Sequence, residues 1–251
     1  MYDKTKYLTA GDKALDMEFG NSISEQINNK IRSMAEAIGT QDIKGIVELV
    51  PTYRSLMIHY DPLETSYDQL VDSLKELENN LENISLPAPE VIEIPTLYGG
   101  DYGPDIENVS KHNDLSIEEV IKIHTSGEYL IYMLGFTPGF PYLGGMDTRI
   151  ATPRLATPRT KISGGSVGIA GSQTGIYPID SPGGWQLIGK TPIPLYDSQR
   201  ESPILLKAGN YIVFKSIDEK DYLEIEEALK KGTYQYKIYP KKEESDDHGA
   251  N

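Results

Sequence analysis

The chain has 251 residues, a net charge of −14 at neutral pH and no cysteine. Such a length suits one large or two modest domains with real cores. The missing cysteines exclude disulfides, thiolate zinc sites and cysteine nucleophiles, and the acidic balance argues against nucleic acid, which needs a basic face.

The charge is uneven. Residues 1–130 hold 24 acidic and 10 basic side chains, whereas residues 131–251 hold 14 of each. The opening MYDKTKYLTAGDKA has no apolar core of a secretory signal, and no run approaches membrane-spanning length. The expectation is a soluble cytoplasmic protein with no membrane or nucleic-acid partner.

In chain order, Tyr7–Thr9 and Ala14–Phe19 read as strands. Ser22, with Glu25 three residues on, forms a capping-box pattern that opens a helix. Ile23, Ile27, Ile31, Met34, Ala35 and Ile38 keep helical spacing, and Gly39 is the expected stop. Ile43–Val50 and Arg54–Tyr60 read as strands joined near Pro51. Ser66 starts a second helix, with Tyr67, Leu70, Val71, Leu74, Leu77 and Leu81 on one face. Strands, helix, two strands, helix suits a small α+β sandwich of the ferredoxin-like kind, with both helices on one face.

Leu86-Pro-Ala-Pro-Glu marks a domain boundary, because paired prolines favour extended backbone. Val91–Ile94 is a strand and Tyr98–Pro104 a loop. Asp105–Ser110 is a short helix, and Asp114-Leu-Ser-Ile-Glu-Glu caps another that ends near His124. Glu128–Leu134 is β-prone. Further on, Pro203–Leu206 and Tyr211–Phe214 flank Ala208-Gly209-Asn210, a hairpin signal. Asp221–Lys231 is amphipathic, and Tyr234–Tyr239 alternates as a last strand. The expected organisation is an α+β domain over residues 1–86, a mostly-β, barrel-like domain over 87–240, and a disordered polar tail over 241–251.

Residues 135–194 stand apart. They hold 12 of the 23 Gly, 8 of the 16 Pro and the only Trp, Trp185. Phe136, Phe140, Tyr142, Tyr177 and Trp185 are interleaved with the turn residues, which marks shaped loops rather than a linker. Thr148–Ile179 contains no Asp or Glu but carries Arg149, Arg154, Arg159 and Lys161. A positive, Gly-rich stretch in an acidic chain points to an anion site. Arg154 and Arg159 sit in a tandem A-T-P-R-L-A-T-P-R, and arginine holds a carboxylate or phosphate with two parallel hydrogen bonds.

Gly184-Trp-Gln-Leu-Ile-Gly-Lys-Thr191 satisfies the P-loop expression. A true P-loop follows a strand and opens a helix. Here Pro192-Ile193-Pro194 forbids the helix, and the bulky centre reads as a strand, so Lys190 is kept only as an anion contact of another geometry. His124 is the one candidate for a general base, set against the commoner reading as a hydrogen-bonded structural histidine. No His spacing supports a metal site.

The runs HTSGEYLIYMLGFTPGFPYLGGMD, ATPRLATPRT and GSVGIAGSQTGIYPIDSPGGWQLIGKTP closely resemble the KipI family, also known as the 5-oxoprolinase B-subunit family and as the first subunit of allophanate hydrolase. The resemblance covers nearly the whole chain. It implies an N-terminal α/β domain and a C-terminal cyclophilin-like barrel. It also implies a subunit, inactive alone, of an ATP-dependent enzyme that opens 5-oxo-L-proline to L-glutamate. The implied partners are the A and C components of 5-oxoprolinase, the C component being a sister cyclophilin-like chain and the direct partner. ATP is expected in the assembled complex. One branch of the family instead inhibits histidine-kinase autophosphorylation. Fused relatives form the carboxyltransferase part of biotin-dependent urea carboxylase. On this reading Phe136, Pro138, Gly139, Phe140, Tyr142 and Trp185 wall the site. Arg154, Arg159, Lys161, Gln173, Thr174, Tyr177 and Lys190 contact the substrate or its anionic groups. The catalytic residue is not assigned.

Overall fold

The structure, a computed structural model, describes residues 1–41 and 43–242, without the side chain of Asn83. It divides into two compact units, Met1–Pro87 and a second that begins at Ala88. From residue 243 onward the expected disordered tail lies outside the described residues. Its start is tied down: the Lys241 backbone N–H donates to the Pro89 carbonyl at 2.8 Å.

The first unit is a two-layer sandwich. Its strands are β1 (Lys6–Thr9), β2 (Ala14–Glu18), β3 (Ile46–Pro51) and β4 (Ser55–Tyr60), in the order β1-β2-β4-β3. All neighbours are antiparallel. Period-2 alternation puts Leu15 and Met17 of β2 opposite Ile58 and Leu56 of β4. These four share one buried cluster with Ile27, Ile31 and Met34 of α1 (Glu25–Thr40) and with Leu70 and Leu74 of α2 (Tyr67–Asn79). Both helices therefore cover one face of the sheet. Each fully buried aliphatic side chain there contributes about 1.5–3 kcal/mol.

Ser66 caps α2 in a reciprocal box with Gln69. The cap of α1 is Ser24, not Ser22: the Ser24 hydroxyl accepts the Ile27 N–H at 3.2 Å. Ile27 is the first buried residue of the apolar repeat, so the cap sits three residues before it. The helix also runs through Gly39, and the Thr40 hydroxyl returns to the Glu36 and Ala37 carbonyls.

In the second unit, β5 (Glu90–Tyr98), β6 (Glu128–Leu134), β7 (Pro141–Gly144), β9 (Ser166–Ala170), β10 (Gln173–Ile176), β12 (Gln186–Lys190), β13 (Tyr211–Ser216) and β14 (Ile238–Pro240) form one sheet, and β8 (Arg159–Ile162) pairs separately with β11 (Ser181–Gly183). The main sheet runs β10-β9-β12-β5-β13-β6-β7, with β14 on β5. Its two ends, β10 and β7, lie against each other, so it is a nearly closed, barrel-like sheet. Helices α3 (Ile106–Asn113), α4 (Ile117–Ser126) and α5 (Glu219–Lys230) complete the unit.

In this unit the structure corrects two expectations. Pro203–Leu206 is not the hairpin partner of β13, which runs parallel to β5 and antiparallel to β6. Residues 211–214 are buried, and a strand covered on both sides carries no signal of its partner in its own pattern. The last strand is also shorter than expected, Ile238–Pro240 rather than Tyr234–Tyr239.

Candidate functional site

The loop joining β6 to β7 turns tightly. The Gly135 N–H donates to the Phe140 carbonyl at 3.1 Å and the Phe140 N–H to the Thr137 carbonyl at 3.0 Å. Phe136 at its tip has φ +60° and is 67% exposed. A bulky residue in the left-handed region is strained, and such strain collects at functional positions. Phe136 meets Phe140 edge-on at 5.6 Å between ring centres. Phe140 in turn meets Tyr142, Tyr177 and Trp185 at 5.5, 5.6 and 5.7 Å, each edge to face.

These rings wall a cavity of about 360 Å³ that Arg154, Pro158, Gln173, Pro182, Gly183 and Gly184 complete. The tandem ATPR segment contributes Arg154 and Pro158 to this lining. It is pinned twice: the Leu155 N–H donates to the Gly184 carbonyl at 2.7 Å, and the Gln186 side chain to the Pro153 carbonyl at 2.9 Å. Two glycines make room for the rings. A Cβ on Gly175 would lie 3.0 Å from the Trp185 ring, and one on Gly183 would lie 2.3 Å from the Tyr177 hydroxyl.

Arg154 is the one charged side chain in this lining, and it is exposed. It forms no ion pair among the described residues. Burial pushes the Tyr177 phenol up, while the Arg154 charge, the Trp185 backbone N–H and the Arg159 charge act the other way. Tyr177 thus keeps its proton at neutral pH, and its hydroxyl can donate. None of the eleven lining residues is Asp, Glu, His or Lys.

The cavity gathers seven of the expected residues: Phe136, Phe140, Tyr142, Arg154, Gln173, Tyr177 and Trp185. Pro138 and Gly139 line an adjoining depression that shares Phe136. The other expected contacts are elsewhere. Arg159 donates through Nη2 to Asp105 Oδ1 at 2.8 Å, and Lys161 pairs with Asp180 at 2.8 Å on the surface. Lys190 ends strand β12.

Thr174 and His124 are buried inside the barrel. The Thr174 hydroxyl donates to the Gly168 carbonyl at 3.1 Å, so it accepts from His124 Nε2 at 2.8 Å. His124 Nδ1 must then accept the Tyr98 hydroxyl proton at 2.7 Å. Burial holds the His124 pKa down at about 3, so the ring is neutral and both of its nitrogens are occupied.

The P-loop-like run does not fit a nucleotide phosphate. Residues 186–190 are β12, which is paired to β9 on one side and β5 on the other. Its N–H groups are committed to the ladder rather than turned into a cradle. Among the described residues no cluster of three or more His, Asp or Glu could hold a metal ion, and no helix is long and apolar enough to cross a membrane. Asp105 was missed by sequence reasoning. It stands immediately before α3, after a Gly- and Tyr-rich loop, and carries no motif.

Residues 5–206 match the family model described as the carboxyltransferase domain, subdomain C and D. The chain is 48% identical over 223 residues to the 5-oxoprolinase B subunit of Bacillus subtilis (strain 168), covering 84% of this chain and 92% of that relative. The chain belongs to the 5-oxoprolinase B-subunit family. Among solved structures, a conserved uncharacterized protein from Pyrococcus horikoshii is 47% identical with a TM-score of 0.52, covering 86% of this chain and all of that one. The urea amidolyase of Kluyveromyces lactis matches at a TM-score of 0.77 over 94% of this chain and 16% of that one. Its 22% identity makes that a likeness of fold alone. This chain thus shares its fold with one part of a much longer chain.

Proposed function

We propose that the chain is the B subunit of an ATP-dependent 5-oxoprolinase, and that its aromatic cavity holds 5-oxo-L-proline while the lactam is opened to L-glutamate. The observation that carries the reading is Arg154, an exposed cation without an ion pair among the described residues, set in a lining otherwise free of charge. Its guanidinium suits the substrate carboxylate. The edges and faces of Tyr142, Tyr177 and Trp185 suit a small flat ring, and Gln173 offers an amide of the kind that pairs with a lactam.

A lactam is resonance-stabilised and opens slowly. Phosphorylation of its oxygen makes a better electrophile, which is the chemical purpose of ATP in the assembled enzyme. Nothing in this chain's cavity supplies a base, and its P-loop-like run is a strand. The base and the nucleotide therefore fall to the partners, the A and C components of the enzyme, and the chain is inactive alone. Of the remaining expected contacts, Arg159 is paired with Asp105 and acts electrostatically on Tyr177. Thr174 and His124 set strand β10 from behind, and Lys161 and Lys190 stand outside.

The same proposal extends to the finer features of the fold. In the first unit, β2-α1-β3 with β4 between them is a split β-α-β unit. That supports a ferredoxin-like kinship in which the remaining edge strand comes from the N-terminus. The barrel is read as cyclophilin-like, and the location as cytoplasmic.

The test is ATP- and 5-oxoproline-dependent glutamate release, with the chain alone and with its neighbouring components. Release only in the mixture is the expected result. The family model favours one second reading, a carboxyltransferase module fed by biotin on another chain. No release from folded, assembled components would overturn the first reading, and transfer of a carboxyl group from carboxybiotin would establish the second. Inhibition of a histidine kinase would be the next assay if neither were seen.

A further inference from the structure

Two arginines of the tandem ATPR repeat, Arg154 and Arg159, act electrostatically on the Tyr177 phenol. Only one is free. Arg159 follows the cavity residue Pro158 and stands opposite the cavity residue Gly183 in the β8–β11 pair. Its Nη2 donates to Asp105, whose side chain is 6% exposed. The other oxygen of Asp105 accepts the Leu187 N–H at 2.7 Å, and the Asp105 N–H donates to the Leu187 carbonyl at 2.8 Å. The carboxylate is thereby fixed to strand β12 and cannot follow Arg159 outward. Arg159 Nη1 is buried and has no hydrogen-bond partner among the described residues. A second guanidinium therefore lies beside the cavity, held back and neutralised by one buried carboxylate.

Resting on the proposed binding of 5-oxoproline, we infer that Asp105 is a specificity-determining residue: by neutralising Arg159 it leaves the cavity a single cation, and so selects a cyclic monoanion over an open dicarboxylate. The chemistry of the reaction makes this selection useful. 5-Oxoproline has one carboxylate, and Arg154 meets it. Ring opening adds water across the C–N bond, which creates a second carboxylate and an ammonium. The new carboxylate finds no cation in the lining, and the ammonium finds no carboxylate there. The product is thus held less well than the substrate, and free glutamate competes poorly. Burial of Asp105 without Arg159 would be costly, so the pair holds together until one member is replaced.

Trp185 is the only tryptophan of the chain and lines the cavity, so its emission reports occupancy directly. The experiment titrates the chain with 5-oxo-L-proline and with L-glutamate, and measures inhibition of the assembled enzyme by glutamate. In the wild type, 5-oxoproline binds at least tenfold more tightly than glutamate. Asp105→Asn keeps an acceptor for the Leu187 N–H but frees the Arg159 charge. Glutamate then gains about tenfold, the size of one charge-assisted hydrogen bond. Asp105→Asn combined with Arg159→Met loses that gain. Should Asp105→Asn not fold, Pro158→Lys, which places a second cation in the lining, makes the same gain. Equal wild-type affinities, or folded Asp105→Asn with an unchanged ratio, overturn the inference while leaving the site in place. Absence of any response to 5-oxoproline, in the chain or the assembled enzyme, overturns the site itself.

Discussion

One short strand separates the two polar regions of the second unit. Gln173 of β10 lines the cavity, Thr174 bonds His124 inside the barrel, Ile176 joins the interior core and Tyr177, just past the strand, returns to the cavity. Alternation along a strand sends neighbours to opposite faces. The inner region is closed: Tyr98, His124, Thr174 and Gly168 satisfy one another in a chain. The outer region is open: Arg154 has no ion pair among the described residues, and the Phe136 ring stands exposed. A buried histidine looks more like a catalytic group than an exposed arginine does. The difference teaches that a group's unused bonding capacity, not its type, is what leaves it open to a ligand.

The largest effect should come from breaking the closed side. His124→Phe leaves the Tyr98 hydroxyl and Thr174 without their shared partner and should destabilise the second unit by about 2–4 kcal/mol in chemical denaturation. The same residue gives a pH signature. Its folded pKa, about 3, is below its ordinary 6.5. Above pH 6.5 the ring is neutral in both states and its stabilisation is complete. As pH falls toward 3 the unfolded chain takes up a proton that the folded chain refuses. Stability should drop by up to about 1.4 kcal/mol per pH unit in that window. His124→Phe should remove this part of the slope, and an unchanged slope would assign it to other groups.

On the open side, Arg154→Met should lower kcat/KM for 5-oxoproline in the assembled enzyme by about 10- to 100-fold. Its melting temperature should stay at the wild-type value. Arg154→Lys should recover only part, since a point charge does not reproduce a two-pronged contact. Gly183→Ala brings a methyl group against the Tyr177 hydroxyl and should cost about 1–3 kcal/mol of stability, with a raised KM. Lys161→Ala removes only a surface pair with Asp180 and should change neither turnover nor melting. A loss of activity there would extend the anion site beyond the cavity.

Much of this architecture is legible in the sequence, for local reasons. The apolar repeats of α1 and α2, and the Ser66 cap, are written in residues three and four apart. The crowding of Gly marks the cavity walls because tight ring packing needs residues without side chains, as at Gly175 and Gly183. Partner choice is not written locally. The pairing of β13 with β5 joins residues about 120 positions apart. Asp105 joins Arg159 across 54 positions, and nothing near Asp105 announces it. The acid-free stretch pointed to Arg154, Arg159 and Lys161 together. The carboxylates that pair with Arg159 and Lys161, Asp105 and Asp180, come from outside it, so charge counting within the stretch does not show which of its cations are paired.

The most direct measurement is the emission of Trp185 as 5-oxo-L-proline is added to the wild-type chain and to Arg154→Met, each alone and within the assembled enzyme. The account predicts a saturable change in the wild type that Arg154→Met loses while its fold persists. A saturable change of equal affinity in Arg154→Met, or none in the wild type in either setting, would contradict it.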